Sequence, residues 1–198
     1  MAPPTPTRQR KRGHDPESVL SIAVGVFNER GYDGTSMEDL ARALGVTKSA
    51  IYYHVPGKEQ LLGRALDRAL DGLFAVVADE RAASGPAIER LEWAVRESVR
   101  ILVDRLPYVT LLLRVRGNSR TEQAALERRR EFDGFISHLV KEAAAEGSIR
   151  PDVDPALVTR LLFGTVNSIT EWYKPARGAS ADDLADALLK MTFSGLRV

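Results

Sequence analysis

The stretch from Thr35 to Lys58, TSMEDLARALGVTKSAIYYHVPGK, constrains this chain more than any other, because it writes two helix starts, a helix stop and a tight turn into consecutive residues. Thr35 with Glu38 and Ser36 with Asp39 both satisfy the spacing at which a hydroxyl and a carboxylate reciprocally cover the orphan amides of a first helical turn. Met37, Leu40, Ala41 and Leu44 then recur at helical spacing, and Gly45 follows where a helix closes in the left-handed region. Val46 fills the turn. Thr47 is placed to cap a second helix, in which Ala50 and Ile51 face inward while Lys48, Ser49, Tyr52, Tyr53 and His54 face outward. The unit reads as a helix-turn-helix whose outward residues touch something.

The flanking sequence supplies what such a unit needs to become a stable head. Asp15-Pro16 is a helix start, since the aspartate accepts amide hydrogen bonds and proline at the first helical position gives up a donor that has no partner anyway. Val19, Leu20, Ile22, Ala23, Val26 and Phe27 form its buried stripe, and Gly31 ends it. Three helices then share a small core of Phe27, Tyr32, Leu40, Leu44, Val46 and Ile51. Ahead of them, residues 1–13 hold Arg8, Arg10, Lys11 and Arg12 with too little apolar content to fold alone. That segment reads either as a solubilising tail or as a basic arm whose Arg10 and Arg12 neutralise phosphates beside the helix-turn-helix.

Beyond the head, apolar residues keep a helical period. A long helix runs from Lys58 to the Ser84-Gly85-Pro86 break, another from Pro86 to Arg105, and a short one from Tyr108 to Arg116. Residues 119–146 read as a further helix ending at Gly147. Asp154-Pro155 opens one lasting to Lys174-Pro175, and Ser180 with Asp183 caps the last. The expectation is an all-α chain of nine helices, with a helix-turn-helix domain over 14–60 and a helical body over 61–198. Alternating apolar and polar runs bounded by turn residues, the mark of strands, are absent.

Composition narrows the chemistry. Zero cysteines exclude disulfides, thiolate metal sites and a cysteine nucleophile. The three histidines, His14, His54 and His138, are far apart in sequence, and no phosphate loop, nucleophile elbow or metal-ligand spacing occurs, so an enzyme is not expected and neither is a metal or cofactor. No apolar run approaches the ~20 residues of a membrane span, and no signal-peptide core follows the basic start, which makes the cytoplasm the expected location.

The segment Thr35 to Leu62, TSMEDLARALGVTKSAIYYHVPGKEQLL, resembles the DNA-binding signature of the TetR family of bacterial transcriptional repressors. The glycine turn, the paired tyrosines followed by histidine and the Lys-Glu-x-Leu-Leu entry to the fourth helix all fall at the family's spacing. Gly57 stands where many members have a serine or asparagine cap, and Val55 where many have phenylalanine. The resemblance implies a nine-helix architecture and a homodimer built on the segments 155–174 and 181–196. It also implies a double-stranded operator with inverted repeats and a small-molecule effector held in the body. Carried onto this sequence, it puts Lys48 and Ser49 at base edges, Tyr52, Tyr53 and His54 along the sugar-phosphate wall, Lys58 and the amides of its helix end on a phosphate, and Thr35 and Thr47 at backbone hydroxyl contacts. Its implied effector pocket takes in Trp93, Tyr108, Leu112, Arg114, Phe132, Phe135, Phe163, Asn167 and Thr170, although each of these also suits an ordinary core.

Six arginines between 114 and 130 add guanidinium groups near that pocket, which suits a phosphate- or carboxylate-bearing effector. The pattern Glu146 to Asp152, followed by Trp172-Tyr173-Lys174-Pro175, is similar to a TetR subgroup that answers to acyl-CoA thioesters, so an acyl- or aryl-CoA effector is the specific expectation. A protein of the same fold controlled by a protein partner, or by no effector at all, remains the alternative.

Overall fold

A computed structural model of the chain describes residues 15–175 and 178–194, and every regular element among them is a helix. In chain order these are α1 (Pro16–Arg30), α2 (Met37–Leu44), α3 (Lys48–His54), α4 (Lys58–Ala78), α5 (Glu80–Ala83), α6 (Ala87–Asp104), α7 (Leu106–Arg114), α8 (Arg120–Ala145), α9 (Pro155–Trp172) and α10 (Ala181–Phe193). That is ten among the described residues against the nine expected. The difference is Asp79, whose backbone is extended and whose carboxylate accepts from the Arg81 amide at 2.9 Å while gripping its guanidinium at 2.8 Å. These bonds end α4 at Ala78 and start a separate turn, where the apolar period alone reads straight through to Ser84.

Side-chain capping fixes the other starts. Asp15 accepts from the Ser18 amide, Ser36 and Asp39 form a reciprocal box, Thr47 accepts from the Ala50 amide, and Asp154 holds two amides of α9. Each such cap contributes about 1 kcal/mol, so short helices such as α2 and α3 owe much of their definition to one side chain. Gly45 closes α2 at φ 65, in the left-handed region. At α4 the cap position is Gly57, which offers no side-chain bond.

Phe27, Leu40, Leu44, Ile51 and Val55 are the buried centre of the α1–α3 head, with Tyr32 and Val46 packed against them and Tyr32 set edge-on to Phe27 at 5.3 Å. In the body, α4, α6, α8 and α9 wrap around Leu66, Leu70, Leu91, Val95, Phe132 and Ile136, and α10 lies along α6. The short helix α7 packs on α1, α4 and α9 together, so that it, like α4, touches head and body at once.

Candidate functional site

Two surfaces carry the polar and aromatic groups singled out in the sequence. The first is α3. Ile51 is fully buried and anchors the helix, so its neighbours are turned outward: Lys48 and Ser49 are exposed, Tyr52 is 48% exposed and Tyr53 90%. Core packing is therefore excluded for Tyr53. A seven-residue helix with two large phenols and an ammonium on its outer face is a shape that enters a major groove and lays hydroxyls on the backbone wall. Thr47 is exposed and uses its oxygen as a cap acceptor, which leaves its hydroxyl proton available to a phosphate. Arg10, Arg12 and the side chain of His54 lie outside the described residues.

Two expected DNA contacts are corrected by the geometry. Thr35 is 1% exposed and donates its hydroxyl to the Gly31 carbonyl at 2.7 Å, so it ties the α1–α2 loop to the end of α1. Lys58 turns its ammonium back into the same loop. It donates to the carbonyls of Tyr32 and Thr35, both at 2.9 Å, and sits 4.5 Å from the centre of the Tyr32 ring. A cation satisfied by carbonyls and an aromatic face is a loop clamp rather than a phosphate hook.

The second surface is a cavity between α6, α7, α8 and α9, with Leu73 of α4 at its inner wall. Its inner part is a slot of about 40 Å³ lined chiefly by Leu73, Leu102, Val109, Leu112, Leu113, Phe132, Phe163 and Val166. Phe132 is buried and meets Phe163 edge-on at 5.5 Å, with Phe135 packed beside it at 6.3 Å. The outer part is a chamber of about 430 Å³ rimmed by Arg129, Arg130, Ser137, Thr159 and Arg160, and Gly134 and Gly164 leave its walls low because a Cβ at either would meet nothing. Arg129, Asp133, Phe163 and Asn167 line both parts. Burial pushes the Asp133 carboxyl above its usual range, opposed by the charges of Arg129 and Arg160.

The nine residues expected at an effector pocket thus divide. Leu112, Phe132, Phe163 and Asn167 converge on the cavity, and Phe135 backs it. Thr170 spends its hydroxyl on the Asn167 carbonyl one turn away. Trp93 is elsewhere, under the Arg81 guanidinium at 4.8 Å, and Tyr108 lines a different groove beneath Arg68. Arg114 also leaves the cavity: it donates to the Asn28 carbonyl at 2.5 Å, joining α7 to α1. Arg129, one of the six arginines of the 114–130 run, does reach the cavity, and what sequence reading missed is Asp133, Thr159 and Arg160. Their spacing from Phe132 and Phe163 along α8 and α9, one, three or four residues away, is the signal that could have found them.

Of the remaining arginines of the 114–130 run, Arg128 and Arg130 pair with carboxylates. Arg128 bridges Asp67 at 2.9 Å and Asp71 at 2.8 Å and covers the Phe74 ring, fastening α8 to α4. An exposed apolar stripe lies on α9, where Leu157 and Trp172 are each more than half exposed and Leu161 is 64% exposed, with Met191 of α10 similarly open. Among the described residues no group of histidine and carboxylate side chains could hold a metal, and no helix is long and apolar enough to cross a membrane.

Comparison with known proteins agrees with this architecture. Residues 19–65 match the model of bacterial regulatory proteins of the tetR family, and residues 84–196 match that of the tetracyclin repressor-like C-terminal domain. The chain is similar to the HTH-type transcriptional repressor KstR2 of Mycolicibacterium smegmatis, with 27% identity over 99% of this chain and 96% of the relative. A crystal structure of SCO3833, a TetR regulator from Streptomyces coelicolor A3, is 57% identical over 94% of each chain, with a TM-score of 0.86. AibR, solved in complex with isovaleryl coenzyme A and operator DNA, is 29% identical over 90% of this chain and 97% of its own, with a TM-score of 0.74.

Proposed function

The chain belongs to the bacterial tetR family of DNA-binding transcription regulators, and from that premise we propose that it is an operator-binding repressor released by an acyl- or aryl-CoA thioester. Residues 14–60 read the DNA, and 61–198 sense the ligand and pair with a second copy. The observation that carries the effector class is the joining of an apolar slot to an arginine-rimmed chamber. An acyl chain suits the first and the phosphates of coenzyme A suit the second, and the isovaleryl coenzyme A in AibR supports the same class.

Lys48, Ser49, Tyr52 and Tyr53 would carry the operator contact, with Thr47 and the basic arm on phosphates. Two copies joined through the apolar faces of α9 and α10 would present their α3 helices about 34–36 Å apart, one turn of DNA, and so select an inverted repeat.

Release follows from the size of the slot. At about 40 Å³ it admits little more than a water molecule, so a ligand that fills it must favour a state with the walls apart. One wall is α7, through Val109, Leu112 and Leu113. That helix is bracketed to the head at both ends by a single residue, since the Asn28 side-chain amide donates to the Pro107 carbonyl at 2.8 Å while its own carbonyl accepts from Arg114. Pushing α7 outward therefore turns α1, and with it the head, relative to the body.

Isothermal titration with phenylacetyl-CoA and a long-chain acyl-CoA, with the free acids as controls, tests the reading alongside selection of bound fragments from random DNA. Thioester binding that lowers the affinity for the selected operator is the expected result. Failure of every thioester to bind, or unchanged operator affinity, overturns it.

A further inference from the structure

The slot and the chamber meet at Asp133, and its surroundings are unusual for this molecule. Several arginines elsewhere are taken up by carboxylates, as Arg128 is by Asp67 and Asp71 and Arg90 is by Glu142. At the neck, by contrast, no hydrogen bond or ion pair with any described residue engages the side chains of Arg129, Asp133, Arg160 or Asn167. Asp133 is half-buried, and its carboxylate looks onto a lining that is apolar on the inner side. A carboxylate in that position accepts hydrogen bonds and repels anions, and the low-polarity wall behind it weakens screening.

We propose that Asp133 is a specificity-determining residue that admits only ligands uncharged at the neck, so that the regulator answers to an activated acyl derivative and ignores the parent acid. The inference rests on the thioester reading above. A thioester whose chain fills the slot passes the neck as a neutral, amide-bearing arm that can donate to Asp133 and Asn167, and its phosphates emerge at Arg129, Arg130 and Arg160. A free acid with the same chain seated carries its carboxylate to the neck itself, against Asp133. Asp133 there offsets the pull of Arg129 and Arg160, which stand at the same neck.

The test is direct titration of the full chain with phenylacetyl-CoA, phenylacetate and phenylmethanesulfonate, the last an anion that does not titrate. The wild type is expected to prefer the thioester to both anions. Asp133→Asn, which keeps the shape and drops the charge, is expected to narrow that preference by about tenfold, the factor that matches one pKa unit of like-charge coupling. Asp133→Glu keeps the charge and is expected to keep the preference.

A second readout separates charge from packing. Sulfonate binding to the wild type should strengthen as the pH is lowered from neutral and Asp133, whose burial holds its carboxyl above the usual carboxylate range, takes up a proton, and stay flat in Asp133→Asn. The other charged groups facing Asp133 are Arg129 and Arg130 of α8 and Arg160 of α9, which keep their charge over that range, and α6 and α7 face it with Ser98 and apolar side chains. If thioester binds both proteins but the preference is the same in Asp133→Asn, or the sulfonate profile is flat in the wild type, this inference falls alone. If no thioester binds either protein, the effector reading falls and takes this one with it.

Discussion

The head and the body put their candidate functional side chains on opposite sides of their cores. On α3, Lys48, Ser49, Tyr52 and Tyr53 point away from a buried Ile51, so contact and packing are divided between different residues. In the body, Phe132, Phe163 and Leu112 are at once the lining of the cavity and part of the hydrophobic core. The difference teaches that a change in the head's contact set should alter binding without altering the fold, whereas a change in the cavity wall should alter both.

The largest expected effect breaks or confirms the body half of that contrast. Phe132→Ala should lower the unfolding free energy by about 3–5 kcal/mol in a urea titration, because it removes a fully buried ring from a packed site. A loss below about 1 kcal/mol would mean that the slot wall is not core. Next, Lys48→Ala should weaken binding to the selected operator by about 1–3 kcal/mol in a fluorescence titration while leaving the urea midpoint within the ordinary surface range of about 0.5 kcal/mol. Substantial destabilisation there would show that head contacts and head packing are not separable.

Lys58→Ala crosses the line between the two, since a lysine at the head–body junction was expected on DNA and is found clamping carbonyls. It should cost about 1–2 kcal/mol of stability and leave the salt dependence of DNA binding as it was. A flattened salt slope would restore the phosphate role.

The smallest effect concerns acid. The Ser36 hydroxyl and amide hold the Asp39 carboxyl below its usual range, with help from Arg30 and Arg42. Its folded value is the lower one, so the stability it adds is fully present above the unfolded value of about 3.9 and fades as pH falls through the folded value. Melting temperatures at neutral pH and near pH 3 should therefore drop further in the wild type than in Asp39→Asn, and equal drops would contradict the assignment. The Asp79 carboxyl, lowered to about 2 chiefly by its bond to the Arg81 side chain, adds a similar acid-sensitive contribution at the α4–α5 break.

The same division explains what could be read from the sequence. The head was legible because its determinants are local: the Ser36–Asp39 box, Gly45 and the Thr47 cap act within four residues of themselves. Lys58 misled because a lysine at a helix start suits a phosphate and a carbonyl clamp equally well, and only the path of the loop from Tyr32 to Thr35 decides between them. The break at Asp79 carried a local signal, an aspartate two residues before Arg81, but the apolar period continuing through Ala82 masked it.

In the cavity, Phe132 and Phe163 were legible as aromatic helix residues. Trp93, Tyr108 and Arg114 looked equivalent in composition, yet helix crossing turns them elsewhere. Arg129 and Asp133 were invisible as a pair with Arg160, because their proximity is set by where α9 meets α8, across a separation of some thirty residues that no short-range pattern reports.

The closed core beneath α3 has an evolutionary meaning as well. Because Ile51, with Val55 just past the helix end, carries most of the packing of α3 among the described side chains, the positions that face outward from it can drift through many side chains without threatening the three-helix frame. New operators are then reachable by single substitutions, each step yielding a folded and testable protein. The cavity has no such freedom, and a change of ligand there requires compensating changes among neighbours that must arrive together.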